Sequence, residues 1–153
     1  MDLDKIMKDL IKKSYPELIN REISIEFENN FEEDDCYFIY GNMRGGGFFI
    51  EVEESLKNFD SRIAIGGIAH ELCHIVWEIS LPKYYEKNDA RLYHRHLHHR
   101  QRDERYTDLE TILRGYGSEL RLTMEHYHKY PTKDYLAGNY CGLRIDEFKR
   151  LKI

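Results

Sequence analysis

The stretch Ile63-Ala64-Ile65-Gly66-Gly67-Ile68-Ala69-His70-Glu71-Leu72-Cys73-His74-Ile75-Val76-Trp77-Glu78-Ile79-Ser80 decides how the rest of the chain is read. At about 100° per residue, Ile65, Ile68, Leu72, Ile75, Val76 and Ile79 fall on one apolar stripe, the mark of an amphipathic helix. His70 and His74 fall on nearly the opposite side, flanked by Glu71 and Cys73. Residues one helical turn apart stand above each other, so the two imidazoles can grip a single metal ion. Glu71 then sits where it reaches a water at that ion, which is the residue kit of metal-assisted hydrolysis. A chain with 8 histidines in 153 residues shows His-Glu-x-x-His by chance roughly a few per cent of the time. The separation of a histidine face from a core face argues against chance.

Gly66 and Gly67 lie on the histidine side, one turn earlier. A glycine costs about 1 kcal/mol relative to alanine inside a helix. Two together predict that another backbone or a ligand approaches there; the alternative is a helix start not yet tightly wound. Asp60 or Ser61 is suited to cap the helix.

A catalytic metal held by two histidines needs a third protein ligand and an open position. The segment from Asp103 to Leu113 has helical period, with Leu109, Ile112, Leu113 and Tyr116 as its apolar stripe. Glu104, Asp108, Thr111 and Gly115 share an adjoining face, and Glu110 points away from both and is expected to be solvated. Glu104 is therefore the expected third ligand. Asp108, one turn later, is placed to accept a hydrogen bond from the free ring nitrogen of a liganding histidine, fixing its tautomer. The competing reading makes both ordinary exposed helix charges.

His70-Glu71-x-x-His74 followed by Glu104-x-x-x-Asp108 on a later helix resembles the gluzincin branch of the zincin metallopeptidases. The resemblance covers about residues 20–117 and rests on those five positions. It implies one zinc ion held by His70, His74 and Glu104, Asp108 supporting a histidine, and Glu71 as the catalytic general base. The reaction implied is hydrolysis of a peptide or protein substrate. The gap from His74 to Glu104 is longer than in compact members of that group. It contains six Lys/Arg residues and His94, His96, His98 and His99. A third histidine ligand would place the chain in another zincin branch, but the extension H-E-x-x-H-x-x-G-x-x-H is absent: Trp77 stands where it needs glycine and Ser80 where it needs histidine. The histidine run itself reads as a solvated, partly basic loop, against a second weaker metal site or a pH-sensitive lid. His126 and His128, near Pro131, read as loop residues.

Composition suits one small domain over 1–153: a core at about 20–117, a His-rich insertion at 81–102, and a tail at 118–153 packing on or near the site. The net charge is -5, so nothing draws the chain to nucleic acid or to an anionic membrane. No window approaches the ~18 apolar residues of a membrane span. Three cysteines without a Cys-x-x-Cys pair, and an N-terminus unlike a signal peptide, make a reducing, cytoplasmic location the expectation. The sequence is silent on oligomeric state.

The remaining periodicity predicts an α+β fold of minimal zincin type. A helix is expected over Asp4–Asn20, interrupted at Pro16. Strands are expected at Glu22–Phe27, Cys36–Tyr40 and Phe48–Val52, with a turn at Gly41-Asn42 and an acidic loop over Asn29–Asp35. The motif helix and the ligand helix follow. Gly115-Tyr116-Gly117 reads as a helix stop, and Asp146–Ile153 as a last short helix. The run Gly45-Gly46-Gly47 fits close approach of a substrate strand or a plain loop. Tyr93, Tyr116, His126 and Tyr135 are open candidates for the donor that stabilises a tetrahedral oxyanion. Besides an active peptidase, two alternatives stand: a latent or inactive zinc-binding protein whose cleft is covered by the insertion or tail, and a non-enzymatic interaction domain.

Overall fold

Asp2 caps the first helix, its carboxylate accepting from Lys5 N at 3.0 Å, and α1 runs Leu3–Ser14. It ends before Pro16, which opens a 3-10 turn, Pro16–Leu18, because proline has no amide hydrogen to continue the ladder. A computed structural model describes residues 1–29, 37–80, 104–132 and 142–153. The expected His-rich insertion with His94, His96, His98 and His99, most of the acidic loop, and Tyr93 and Tyr135 lie outside the described residues.

Three strands follow: β1 (Ile23–Glu28), β2 (Phe38–Asn42) and β3 (Phe48–Glu53). They form a mixed sheet in the order β1-β3-β2, with β1 parallel and β2 antiparallel to the central β3. The period-two pattern of β3 puts Phe48, Ile50 and Val52 inside. Gly41 and Asn42 do not turn the chain as expected; both belong to β2. The turn comes at Met43–Gly47, closed by Met43 N donating to Gly47 O at 3.1 Å. Gly45, Gly46 and Gly47 there have φ of 103, 107 and 88°, conformations that glycine adopts without steric cost. That is the plain-turn reading of the triplet.

The motif helix is α2, Ser61–Ser80. Asp60 caps it, its carboxylate accepting from Arg62 N at 3.0 Å. The expected core stripe is present: Ile68, Leu72 and Ile75 are fully buried, and Ile65, Val76 and Ile79 pack at its margin. Each buried aliphatic side chain contributes about 1.5–3 kcal/mol. The helix is not two-faced, however. Ala64, Gly66, Gly67, Ala69, Glu71 and Cys73 are buried as well, because α2 runs through the middle of the molecule. α1 and the sheet share one core with it. On another side the two glycines explain the tightest contacts. A Cβ on Gly66 would overlap the Glu119 carbonyl oxygen and Thr123 Oγ1, and a Cβ on Gly67 would overlap the Phe38 ring. Since α2 begins at Ser61, close approach is the reason for the pair.

The chain is helical again over 104–111 (α3). It then passes through a π-helical turn, Ile112–Tyr116, where Gly115 has φ 97°, into α4, Gly117–Lys129. The expected stop at Gly115–Gly117 is thus a kink. Gly115 redirects the axis, and the helix resumes because Leu120, Met124 and Tyr127 have a core to fill with Leu143 and Phe148. His126 and His128 lie on α4 rather than in a loop. The expected last helix is α5, Ile145–Arg150. Among the described residues no helix is long and apolar enough to cross a membrane.

Candidate metal centre

α3 turns the expected face of Asp108 and Thr111 inward, but two positions of the expected apolar stripe stay outside. Thr107, Asp108 and Thr111 are buried, while Leu109 and Leu113 of the expected apolar stripe are 37 % and 82 % exposed. Tyr116, at the end of the π turn, is buried and Ile112 packs half-buried against the core; the kink at Gly115 takes Tyr116 out of register with Leu109 and Leu113. The buried polar positions all have partners. Thr111 Oγ1 donates to Thr107 O at 2.8 Å and lies 3.3 Å from Cys73 Sγ. Glu110 points outward, half-exposed, and accepts from Arg114 Nε at 2.8 Å.

Asp108 divides its carboxylate between two buried donors. Oδ1 accepts from His70 Nδ1 at 2.8 Å, and Oδ2 accepts from Leu143 N at 2.6 Å. The C-terminal segment is further tied to α3 by Arg105, which donates to both Glu147 carboxylate oxygens at 3.0 and 2.6 Å.

With its proton directed to Asp108, a neutral His70 ring carries its lone pair on Nε2. That atom lies 3.0 Å from His74 Nε2 and 3.2 Å from Glu104 Oε2, and His74 Nε2 lies 3.5 Å from Glu104 Oε1. Two ring nitrogens and the two oxygens of one carboxylate thus converge, and a proton or a cation among them relieves the repulsion. Zinc–ligand bonds of about 2.0–2.2 Å set neighbouring atoms of a tetrahedral site about 3.3–3.5 Å apart, close to the spacings here. His70, His74 and Glu104 are a group able to hold a metal ion. The donor set fits: two imidazoles and a carboxylate suit zinc and several other divalent ions.

Electrostatics follows the geometry. Burial opposes a charge on His70, but the hydrogen bonds to Asp108 and Glu104 outweigh it and raise its pKa well above the ordinary value. Burial likewise pushes Glu104 up, yet contacts with His70 and His74 hold its carboxyl far below the usual range. Glu71 takes no part in the cluster. It is buried, and burial raises its pKa.

Of the residues expected from sequence, His70, His74, Glu104 and Asp108 come together, with Glu71 next to His70 on α2. Cys73 does not join them; its thiol faces Tyr15 and Thr111. Tyr116 and His126 do not contact the cluster. The Tyr116 hydroxyl is 2.9 Å from Ser14 Oγ, and His126 packs among Tyr37, Phe59 and Tyr130. The residue that sequence reasoning missed is Tyr40 of β2. Its ring stacks on His74, centroids 5.1 Å apart and planes 8° from parallel. Burial, then the negative charges of Glu78, Glu71 and Glu104, push its pKa up to about 12. Strand alternation places Tyr40 on the inner face with Phe38 and Asn42, which is the only local signal for it. No protein-family model, curated protein or solved structure matches this chain.

Proposed function

We propose that the chain is a zinc-dependent hydrolase of peptide bonds built as a minimal gluzincin. His70, His74 and Glu104 hold the ion, Asp108 fixes His70, and Glu71 handles the proton. The observation that carries this reading is the convergence of two imidazole nitrogens and the Glu104 carboxylate, with contacts of 3.0–3.5 Å, backed by a buried aspartate and flanked by a buried glutamate. A divalent cation there supplies Lewis-acid polarisation of a carbonyl oxygen. Asp108 keeps the His70 proton on Nδ1, so that Nε2 is the ligating atom. Glu71, raised by burial, takes a proton from the attacking water and returns it to the leaving amine.

A peptide suits the edge of the sheet beside the cluster. Glu53 N donates to Tyr37 O, and Met43 N to Gly47 O. In an antiparallel pair such bonded positions alternate, so Ile39 and Gly41 also face β3. The main-chain groups of Phe38, Tyr40 and Asn42 therefore point to the outer side of β2, the edge strand of the order β1-β3-β2. An extended chain can pair there at the residue whose ring covers His74.

The test is Glu71→Ala against Glu104→Ala and Glu110→Ala. Glu71→Ala keeps one equivalent of metal and loses cleavage of an unfolded protein substrate. Glu104→Ala loses metal affinity and Glu110→Ala does not. Metal retained at full affinity in Glu104→Ala overturns the ligand assignment. A second reading, a latent metal protein of the same build, is favoured by the closure of the cluster, where the His70 and His74 side chains are only 13 % and 15 % exposed. It predicts a native chain that binds metal at full affinity and cleaves nothing.

A further inference from the structure

The two histidines of the cluster are held in different ways. His70 is fixed by a hydrogen bond from Nδ1 to Asp108. Among the described residues His74 makes its polar contacts through Nε2 alone, to His70 and Glu104, and none of them holds its Nδ1 as Asp108 holds that of His70. The final torsion of a histidine is broad and roughly two-fold. A helix backbone therefore places the imidazole without orienting it.

β2 supplies the missing constraint. Its inward residues meet α2 in order along the strand: Phe38 lies on Gly67, Tyr40 stacks on His74, and Asn42 Nδ2 donates to Glu78 Oε1 at 2.8 Å. Two strand residues span about 6.7 Å and four helical residues about 6 Å, so the Tyr40–Asn42 step matches the His74–Glu78 step. The contacts on either side of Tyr40 pin its backbone to the helix. Its ring, 8° from parallel with the imidazole, is a wall against which His74 cannot rotate. A ligating imidazole is also electron-poor, and an electron-rich aromatic face favours it where an aliphatic side chain does not.

The geometry points to Tyr40 as a positioning residue of the metal centre, whose ring fixes the plane of His74 as the Asp108 carboxylate fixes that of His70. This rests on the reading of His74 as a metal ligand. It makes metal affinity depend on a residue of the sheet that contributes no ligand atom, and it couples the outer edge of β2 to the ion through one side chain.

The experiment compares the native chain with Tyr40→Phe, Tyr40→Leu and Tyr40→Ala. Zinc affinity is read by competition with a chromophoric chelator, the visible spectrum is read after loading with Co2+, and the metal-free proteins are melted in parallel. Removing a group that orients a ligand typically costs 10–100-fold in metal affinity. Tyr40→Phe, which keeps the ring, is expected within about threefold of the native chain, with an unchanged Co2+ spectrum. Tyr40→Leu and Tyr40→Ala are expected at least tenfold weaker, with a shifted spectrum. Should Tyr40→Ala fail to fold, the Phe and Leu pair decides. Equal affinity for Phe and Leu, or native affinity and spectrum in Tyr40→Ala, overturns the role of the ring while leaving the metal centre standing. A native chain that binds neither Zn2+ nor Co2+ overturns both.

Discussion

α2 and α3 are opposites. α2 is buried on nearly every side and held by aliphatic packing and two glycine contacts. α3 buries Thr107, Asp108 and Thr111, and it and the π turn after it leave Leu109 and Leu113 exposed. Apolar burial is what stabilises a fold, whereas buried polar groups hold little net free energy and are costly when left unpaired. The contrast separates α2, which builds the core and carries His70 and His74 on it, from α3, which turns Asp108 inward to His70.

Substitutions break or sharpen that contrast. Leu72→Ala, at a fully buried position of α2, is expected to cost about 2–5 kcal/mol in urea unfolding. Gly66→Ala drives a methyl into the Glu119 carbonyl and is expected to cost about 1–3 kcal/mol, with α4 moving away. Asp108→Ala strands the His70 and Leu143 donors. Its expected cost is about 1–3 kcal/mol, together with a loss of metal affinity that Leu72→Ala does not share in its folded fraction. Leu113→Ser, at an exposed position of the π turn that continues α3, is expected within about 0.5 kcal/mol of the native chain. A Leu113→Ser cost as large as that of Leu72→Ala would abolish the contrast.

A smaller effect is set by pH at α4. His126 is buried, its Nε2 without a hydrogen-bond partner among the described residues, and burial lowers its pKa below the ordinary 6.5. The unfolded chain therefore binds a proton there more readily than the folded one. Stability from this residue is complete above pH 6.5 and falls as pH drops from there to the lowered folded value. His126→Phe should flatten the stability profile over that interval, and an unchanged slope would remove the residue from the explanation.

The cluster is legible because His70, His74, Glu104 and Asp108 each depend on a turn-to-turn spacing that an α-helix fixes locally. The strand order is less so. β1 and β3 follow from alternation, but the limit of β2 depended on where Gly41 would turn, and the Gly45–Gly47 triplet took that role. Periodicity makes Leu109 and Leu113 part of a buried stripe because it ranks positions by hydrophobicity. It cannot see that Asp108 and Thr111 find partners on α2 and at Leu143. The π turn at Gly115 then breaks the period that tied Tyr116 to Leu109. Tyr40 was invisible for a different reason. Its partner is set by how β2 lies against α2, through Phe38 on Gly67, a relation between elements distant in the chain.

The most direct measurement is the metal content of the native chain after exhaustive dialysis against zinc, paired with the same measurement on Glu104→Ala. The expected result is one equivalent of zinc in the native protein and a large loss in the variant, with both chains folded. No bound metal in the native chain, or an undiminished equivalent in Glu104→Ala, would contradict the assignment of His70, His74 and Glu104 as the metal centre.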